Sequence, residues 1–382
     1  AAGGAPPGGM SVERARLRSV LAGVPPTEAS VGALAAAEAA RLGSEGVRRR
    51  RSELRSELLG LGPLDDLVHD PAVSDVAVNG DGSVWCDDGG GMSPRGFLPG
   101  GSQDVRRLAV RLAAMAGRRL DDAAPYVDGL LPGGVRLHAV LPPLVADGAH
   151  VTLRVPARRE LSLADLAALG SFPREWVPLL VALVRRRVAF LVSGGTGAGK
   201  TTLLAALLGA GDSGDRVVVV EDVRELLVDR PHVVRMEARP PNVEGVGAVT
   251  LSVLVRQALR MRPDRLVVGE VRGPEVRELL TALNTGHEGG CGTLHANAAE
   301  DVVTRLVALG ALADLTPAAV HAQVASAVQV VLHLRREGAA RVLDAWGIVT
   351  GEDPPRVHRA LDRDGPGPTW PRLAELLGVS TC

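Results

Sequence analysis

The residues Gly194-Gly195-Thr196-Gly197-Ala198-Gly199-Lys200-Thr201 match G-x-x-x-x-G-K-[ST] without a mismatch. Glycines at these positions let backbone N–H groups converge on phosphate oxygens. A helix opened by the motif adds the positive end of its dipole. Gly194 to Thr202 are therefore expected to cradle a nucleotide, with Lys200 reaching the β and γ phosphates and the Thr201 hydroxyl ligating Mg²⁺. The flanking sequence fits, because the apolar run Ala189-Phe190-Leu191-Val192 leads in and a helical pattern follows. Lys200 is also the sole lysine among 43 basic residues. GC-rich coding accounts for an arginine-only surface. A retained lysine marks a place where a slender ammonium is needed and a planar guanidinium does not serve.

A phosphate loop needs acids at neighbouring strand ends. Leu266-Val267-Val268-Gly269-Glu270 reads as the Walker B strand, with Glu270 in place of the commoner Asp. A second apolar strand, Val217 to Val220, ends in Glu221-Asp222, with Glu225 one turn on. Both acids are expected at the C-termini of strands flanking the phosphate-loop strand. Glu221 and Glu270 would hold Mg²⁺ and orient the attacking water; the sequence does not say which acts as base.

The segment Thr285 to Asn297 packs polar groups among glycines. His287, Cys291 and His295 are four apart, a spacing that serves a metal only on a helix, and these glycines oppose one. The expectation is instead a γ-phosphate sensor built from His295 and His287, with Thr293 or Asn297. Arg136 and Arg154 fall within predicted strands, where an arginine needs a partner.

The elements that position these groups read outward from them. Apolar runs predict strands at 187–193, 216–221, 265–269, 292–295 and 328–334, alternating with helices at 201–208, 249–261, 275–284 and 299–313. Such alternation implies an α/β fold, a parallel sheet with ligand at the strand C-termini. Short strands around Asn79-Gly80-Asp81-Gly82 and a helix at 104–116 predict a smaller α+β domain upstream. The expected organisation is a mostly helical extension over 1–58, an α+β domain over 59–155, a linker over 156–170, the nucleotide-binding core over 171–350 and a flexible tail over 351–382.

Composition narrows the function classes. A net charge of −1 argues against a chain whose main work is neutralising nucleic-acid phosphates, and 2 % scattered aromatics argue against a base-stacking platform. Cys86, Cys291 and Cys382 form no CxxC pair, which fits a reducing compartment. No apolar run reaches the roughly 18 residues of a membrane span, and the N-terminus lacks a signal-peptide pattern. A cytoplasmic location is expected.

Several blocks together resemble the secretion ATPase superfamily of type II and type IV secretion and pilus systems. They are Leu59 to Leu64, Val78-Asn79-Gly80, Asp128 to Arg136, Glu221 to Leu226 (the Asp box), Leu254 to Asp264 and Thr285 to Asn297 (the His box). The pattern is most similar to the CpaF-type ATPase of Tad/Flp pilus assembly, over about residues 59–334. The resemblance implies a RecA-like P-loop core and a homohexamer using ATP and Mg²⁺. It also implies that Arg136 and Arg154 meet the phosphates from the N-terminal domain. The ring would dock on inner-membrane platform proteins, giving peripheral contact with the membrane, and power pilus assembly or protein secretion. A conjugation or type IV effector-transport ATPase is the alternative, and a nucleic-acid translocase on a RecA core a more distant one. Two departures stand out: Val135 replaces a frequent polar residue, and the zinc-binding cysteines of the general secretory branch are absent.

Overall fold

Four consecutive valines, Val217 to Val220, are all fully buried, because their strand carries apolar layers on both faces. Val217 and Val219 point into one core layer, Val218 and Val220 into the other. The computed structural model describes residues 28–37, 39–58, 60–98, 100–156, 160–239, 241, 246–286, 289–338, 340–351 and 353–380. The chain forms two units, Ala1–Pro156 and Ala157–Cys382.

In the first unit, helices α1 (Glu28–Ala36) and α2 (Ala39–Leu58) precede α3 (Asp65–His69). Residues 1–27 of the expected helical extension lie outside the described residues. The strands are β1 (Asp75–Val78), β2 (Ser83–Asp87), β3 (Met92–Phe97), β4 (Tyr126–Leu130), β5 (Arg136–Val140) and β6 (His150–Arg154). They form one antiparallel sheet in the order β3-β2-β1-β6-β5-β4. Alternation along β1, β2, β5 and β6 turns one face inward against α4 (Gly101–Met115), whose Val105, Leu108 and Leu112 are buried. The β1–β2 turn is held by Asp81, whose Oδ1 accepts from the Ser83 N–H at 2.8 Å.

The second unit opens with α5 (Leu163–Ala168), started by a reciprocal capping box between Ser162 and Asp165. Its helices continue with α6 (Val177–Arg185), α7 (Lys200–Gly209), α8 (Leu251–Leu259), α9 (Val276–Asn284), α10 (Val302–Ala311), α11 (Pro317–Ala327) and α12 (Trp370–Leu377). Its strands are β7 (Phe190–Gly194), β8 (Val217–Glu221), β9 (Val233–Glu237), β10 (Arg265–Val271), β11 (Cys291–Leu294), β12 (Val330–Glu337), β13 (Ala340–Val349), β14 (Val357–Asp362) and β15 (Gly365–Pro366). The sheet order is β15-β14-β13-β12-β7-β11-β10-β8-β9. The run from β12 to β9 is parallel, and β13 to β15 extend it antiparallel.

Two expectations are corrected. The strands ending in Glu221 and Glu270 do not flank β7; β11 and β12 do. Order in a parallel sheet is set by the crossovers, which strand composition does not encode. Residues 351–382 are not a flexible tail where they are described. Val357, Ala360 and Leu361 on β14 and Leu373, Ala374 and Leu377 on α12 are buried, most of them in the same layer as Phe190 and Val192. The prolines fall where they do no harm: Pro371 lies in the first turn of α12, where an N–H has no helical partner. Among the described residues, no helix is long and apolar enough to cross a membrane.

Candidate functional site

The chain leaves β7 at Gly194 and enters α7 at Lys200. Gly194 sits at φ +150°, and a Cβ there would lie 2.4 Å from the Leu334 carbonyl oxygen on β12. Only glycine fits that close approach. Gly199 caps α7 at φ +91°, a left-handed conformation that favours glycine.

Lys200 is 7 % exposed. Its Nζ donates to the carbonyls of Gly194 at 3.0 Å and Gly195 at 2.9 Å, and lies 3.3 Å from His295 Nε2. Burial pulls its pKa down, and the carboxylates of Glu270 and then Glu225 pull it back up. His295 Nε2 also stands 2.7 Å from Glu270 Oε1. Desolvation lowers the His295 pKa first and the Lys200 charge adds to it, while Glu270 opposes both. In a neutral ring, Nε2–H donates to Glu270 and Nδ1, 3.5 Å from Nζ, accepts from Lys200.

Glu221 has contacts of another kind. It is 4 % exposed, and its Oε1 accepts from the backbone N–H of Glu225 at 3.0 Å and of Leu226 at 2.8 Å. Burial pushes its pKa up. Its side chain crosses Gly269, where a Cβ would sit 2.6 Å from Glu221 Cγ. β8 lies three strands from β7, roughly 14 Å at about 4.8 Å per strand. Glu221 thus shapes the turn that presents Glu225. Asp222 beside it pairs with Arg272.

The histidine segment divides. His295 reaches the site, whereas His287 lies outside the described residues. Thr293 was expected near phosphate, yet its buried hydroxyl donates to the Gly269 carbonyl at 2.6 Å and ties β11 to β10. Cys291 is fully buried, with its thiol pushed up to about 12, so it carries no thiolate for a metal. Among the described residues, no group of three or more His, Cys, Asp or Glu could hold a metal ion. Thr201 and Thr202 are half-buried on the first turn of α7, Thr196 and Gly195 are exposed, and Ala198 is buried.

Arg136 and Arg154 belong to the first unit, where they face each other across β5 and β6. Arg154 Nε donates to Asp75 Oδ1 at 3.1 Å, which supplies the partner a strand arginine needs.

Sequence reading passed over several groups. Arg341 on β13 donates from Nε to the Gly197 carbonyl at 3.1 Å, and its aliphatic part covers Gly199. The guanidinium of Arg336 lies beside Gly197. Nothing distinguished these two among 42 arginines; only the β12–β13 pairing brings them to the loop. Glu225 was visible as an acid four residues past Glu221, but its orientation depends on the turn that Glu221 holds.

Known proteins resemble this chain in sequence and in fold. Residues 57–352 match the family described as "Type II/IV secretion system protein". A putative conjugal transfer protein of Mycobacterium tuberculosis is 53 % identical over 306 residues, covering 78 % of this chain and 87 % of that one. The type IV secretion system protein PtlH of Bordetella pertussis is 32 % identical over 306 residues, covering 72 % and 90 %. The Legionella pneumophila ATPase DotB is alike in fold at 18 % identity, with a TM-score of 0.50 over 75 % of this chain and 79 % of that one. The chain belongs to the type II/IV secretion system protein family.

Proposed function

We propose that this chain is an ATP-hydrolysing motor of the CpaF type, acting as a homohexamer on inner-membrane platform proteins at the cytoplasmic face of the membrane. The observation that carries the reading is the convergence of Lys200, His295 and Glu270 on the glycine loop at the end of β7. The fit to a phosphate chain is good. The loop is glycine where a Cβ would strike β12, and the helix N-terminus and a buried ammonium supply positive charge where phosphate oxygens would lie.

Gly194 to Thr202 bind the phosphates, and Lys200 exchanges its carbonyl partners for phosphate oxygens. Thr201 and Glu270 supply hard oxygen ligands suited to Mg²⁺, which neutralises phosphate charge when bound. Glu270 is the carboxylate assigned to orient the attacking water and take its proton, and Glu221 braces the turn after β8. His295 holds Glu270 in place and reports on Lys200, and His287 is assigned to the same sensing segment. Arg136 and Arg154 are assigned to the phosphates by the family resemblance alone.

Similarity to conjugal transfer and type IV secretion proteins supports a second reading, in which the same motor drives conjugation or effector transport. ATP turnover by the purified chain tests the shared claim: hydrolysis should require Mg²⁺ and be unchanged by DNA. DNA-stimulated turnover would favour a translocase instead.

A further inference from the structure

The parallel pairing of β10 with β11 slips by one residue just before Glu270. Val268 pairs with Gly292 and Val271 with Leu294, so Gly269 and Glu270 together stand opposite Thr293 alone. Two residues against one is a β-bulge, a feature rare between parallel strands and common beside active sites, where it re-aims a side chain.

The packing records the reversal. Val267 belongs to the core layer that holds Leu203, Leu204 and Leu207 of α7. Leu266, Val268 and Val271 belong to the layer on the other face of the sheet. Leu266 and Val268 are two apart, as the pleat requires, but Val271 is three beyond Val268. Strict alternation would put Val271 on the α7 face and Glu270 on the far one. The extra residue exchanges them. Glu270 accordingly meets His295 Nε2 at 2.7 Å, and that ring lies 3.3 Å from Lys200 Nζ at the head of α7.

The bulge is held from both neighbouring strands. From β11, Thr293, 1 % exposed, donates its hydroxyl to the Gly269 carbonyl at 2.6 Å. From β8, the Glu221 side chain crosses Gly269, where a Cβ would lie 2.6 Å from its Cγ. Glu221 is itself fixed by the N–H groups of Glu225 and Leu226, so it cannot swing away to make room. The first bulge residue is therefore glycine.

Resting on the ATPase reading above, we propose that Thr293 is a positioning residue for Glu270. Its hydroxyl pins the bulge that turns the Glu270 carboxylate onto the face of the sheet that carries His295 and the phosphate loop. A hydroxyl that only stabilised the sheet would lower the thermal midpoint and leave the turnover of the folded protein alone. A positioning hydroxyl lowers turnover, and only while the Glu270 carboxylate is present.

The test is ATPase kinetics on the full chain carrying Thr293→Val, which keeps the shape and removes the O–H, or Thr293→Ser, which keeps it. Each is made alone and combined with Glu270→Gln. Binding of a fluorescent ATP analogue and thermal midpoints are measured alongside. Thr293→Val should lower kcat by up to about 10²-fold, the scale of a small misplacement of a reacting group, with nucleotide affinity within about threefold of wild type. Thr293→Ser should recover most of that loss. In the Glu270→Gln background Thr293→Val should lower kcat no further. An unchanged kcat in a folded Thr293→Val, equal fold-losses in both backgrounds, or a Thr293→Ser as impaired as Thr293→Val would overturn the proposal. Where Thr293→Val does not fold, Thr293→Ala decides by the same comparison. An inactive wild-type chain would remove the ATPase reading itself, a result distinct from any pattern among the variants.

Discussion

His295 Nε2 lies 2.7 Å from Oε1 of Glu270. The same ring is within 3.5 Å of the Lys200 ammonium through either nitrogen. An uncharged imidazole is thus held between a cation and an anion, and its protonation state decides whether both contacts survive.

That arrangement has a pH signature. The His295 pKa is lowered below 6.5, by desolvation first and by Lys200 second. The ring is neutral above that value and becomes charged only as pH falls beneath it, where it repels Lys200. The acid limb of the kcat profile should therefore lie below pH 6.5. His295→Gln, which cannot titrate, should lose that limb. Stability follows the same sign: the unfolded chain binds the proton first, so the thermal midpoint declines as pH drops from 6.5 toward the folded value.

The two strand-end acids should separate cleanly. Glu270→Gln removes the charge that meets His295 and should cut kcat by about 10²-fold or more. Glu221→Gln keeps an oxygen for the Glu225 and Leu226 N–H groups and removes a buried charge. Because the Glu221 pKa is raised above 4.5, its favourable contribution is present below that pH and lost as pH rises through the folded value. Glu221→Gln should then match or exceed wild-type thermal stability at neutral pH. Glu221→Ala leaves two N–H groups without an acceptor and should cost about 2 kcal/mol or more in denaturant unfolding.

Arg341 offers a test of the hairpin against the phosphate loop. Losing its charged hydrogen bond to the Gly197 carbonyl is expected to cost about 1.5 kcal/mol. Arg341→Ala should raise the KM for ATP roughly tenfold, and Arg341→Lys, which retains a donor, should raise it less.

The C-terminal segment should behave as core. Leu373 is fully buried in the layer shared with β7. Leu373→Ala should destabilise the chain by about 2–5 kcal/mol in denaturant melts.

The phosphate loop was legible because its chemistry is contiguous: one stretch of eight residues carries glycines, lysine and hydroxyl together. Glu270 was legible because a short apolar run pointed to it. Glu221 was legible as a strand-end acid but not as a turn brace, since its partners are backbone N–H groups that exist only once the turn has formed. Thr293 misled because a hydroxyl among glycines looks available, whereas β10 places the Gly269 carbonyl beside it. The prolines after residue 351 hid Leu373 and Leu377, whose four-residue spacing marks the buried face of α12.

ATP hydrolysis by the full chain carrying Lys200→Ala tests the central claim most directly. The variant should retain the wild-type thermal midpoint to within a few degrees, because the hydrogen bonds of the ammonium to the loop and to the His295 ring are offset by the desolvation that burying it costs. Its Mg²⁺-dependent turnover should fall by about 10²-fold or more. A folded Lys200→Ala protein that hydrolyses ATP at the wild-type rate would contradict the assignment of this loop as the hydrolytic site.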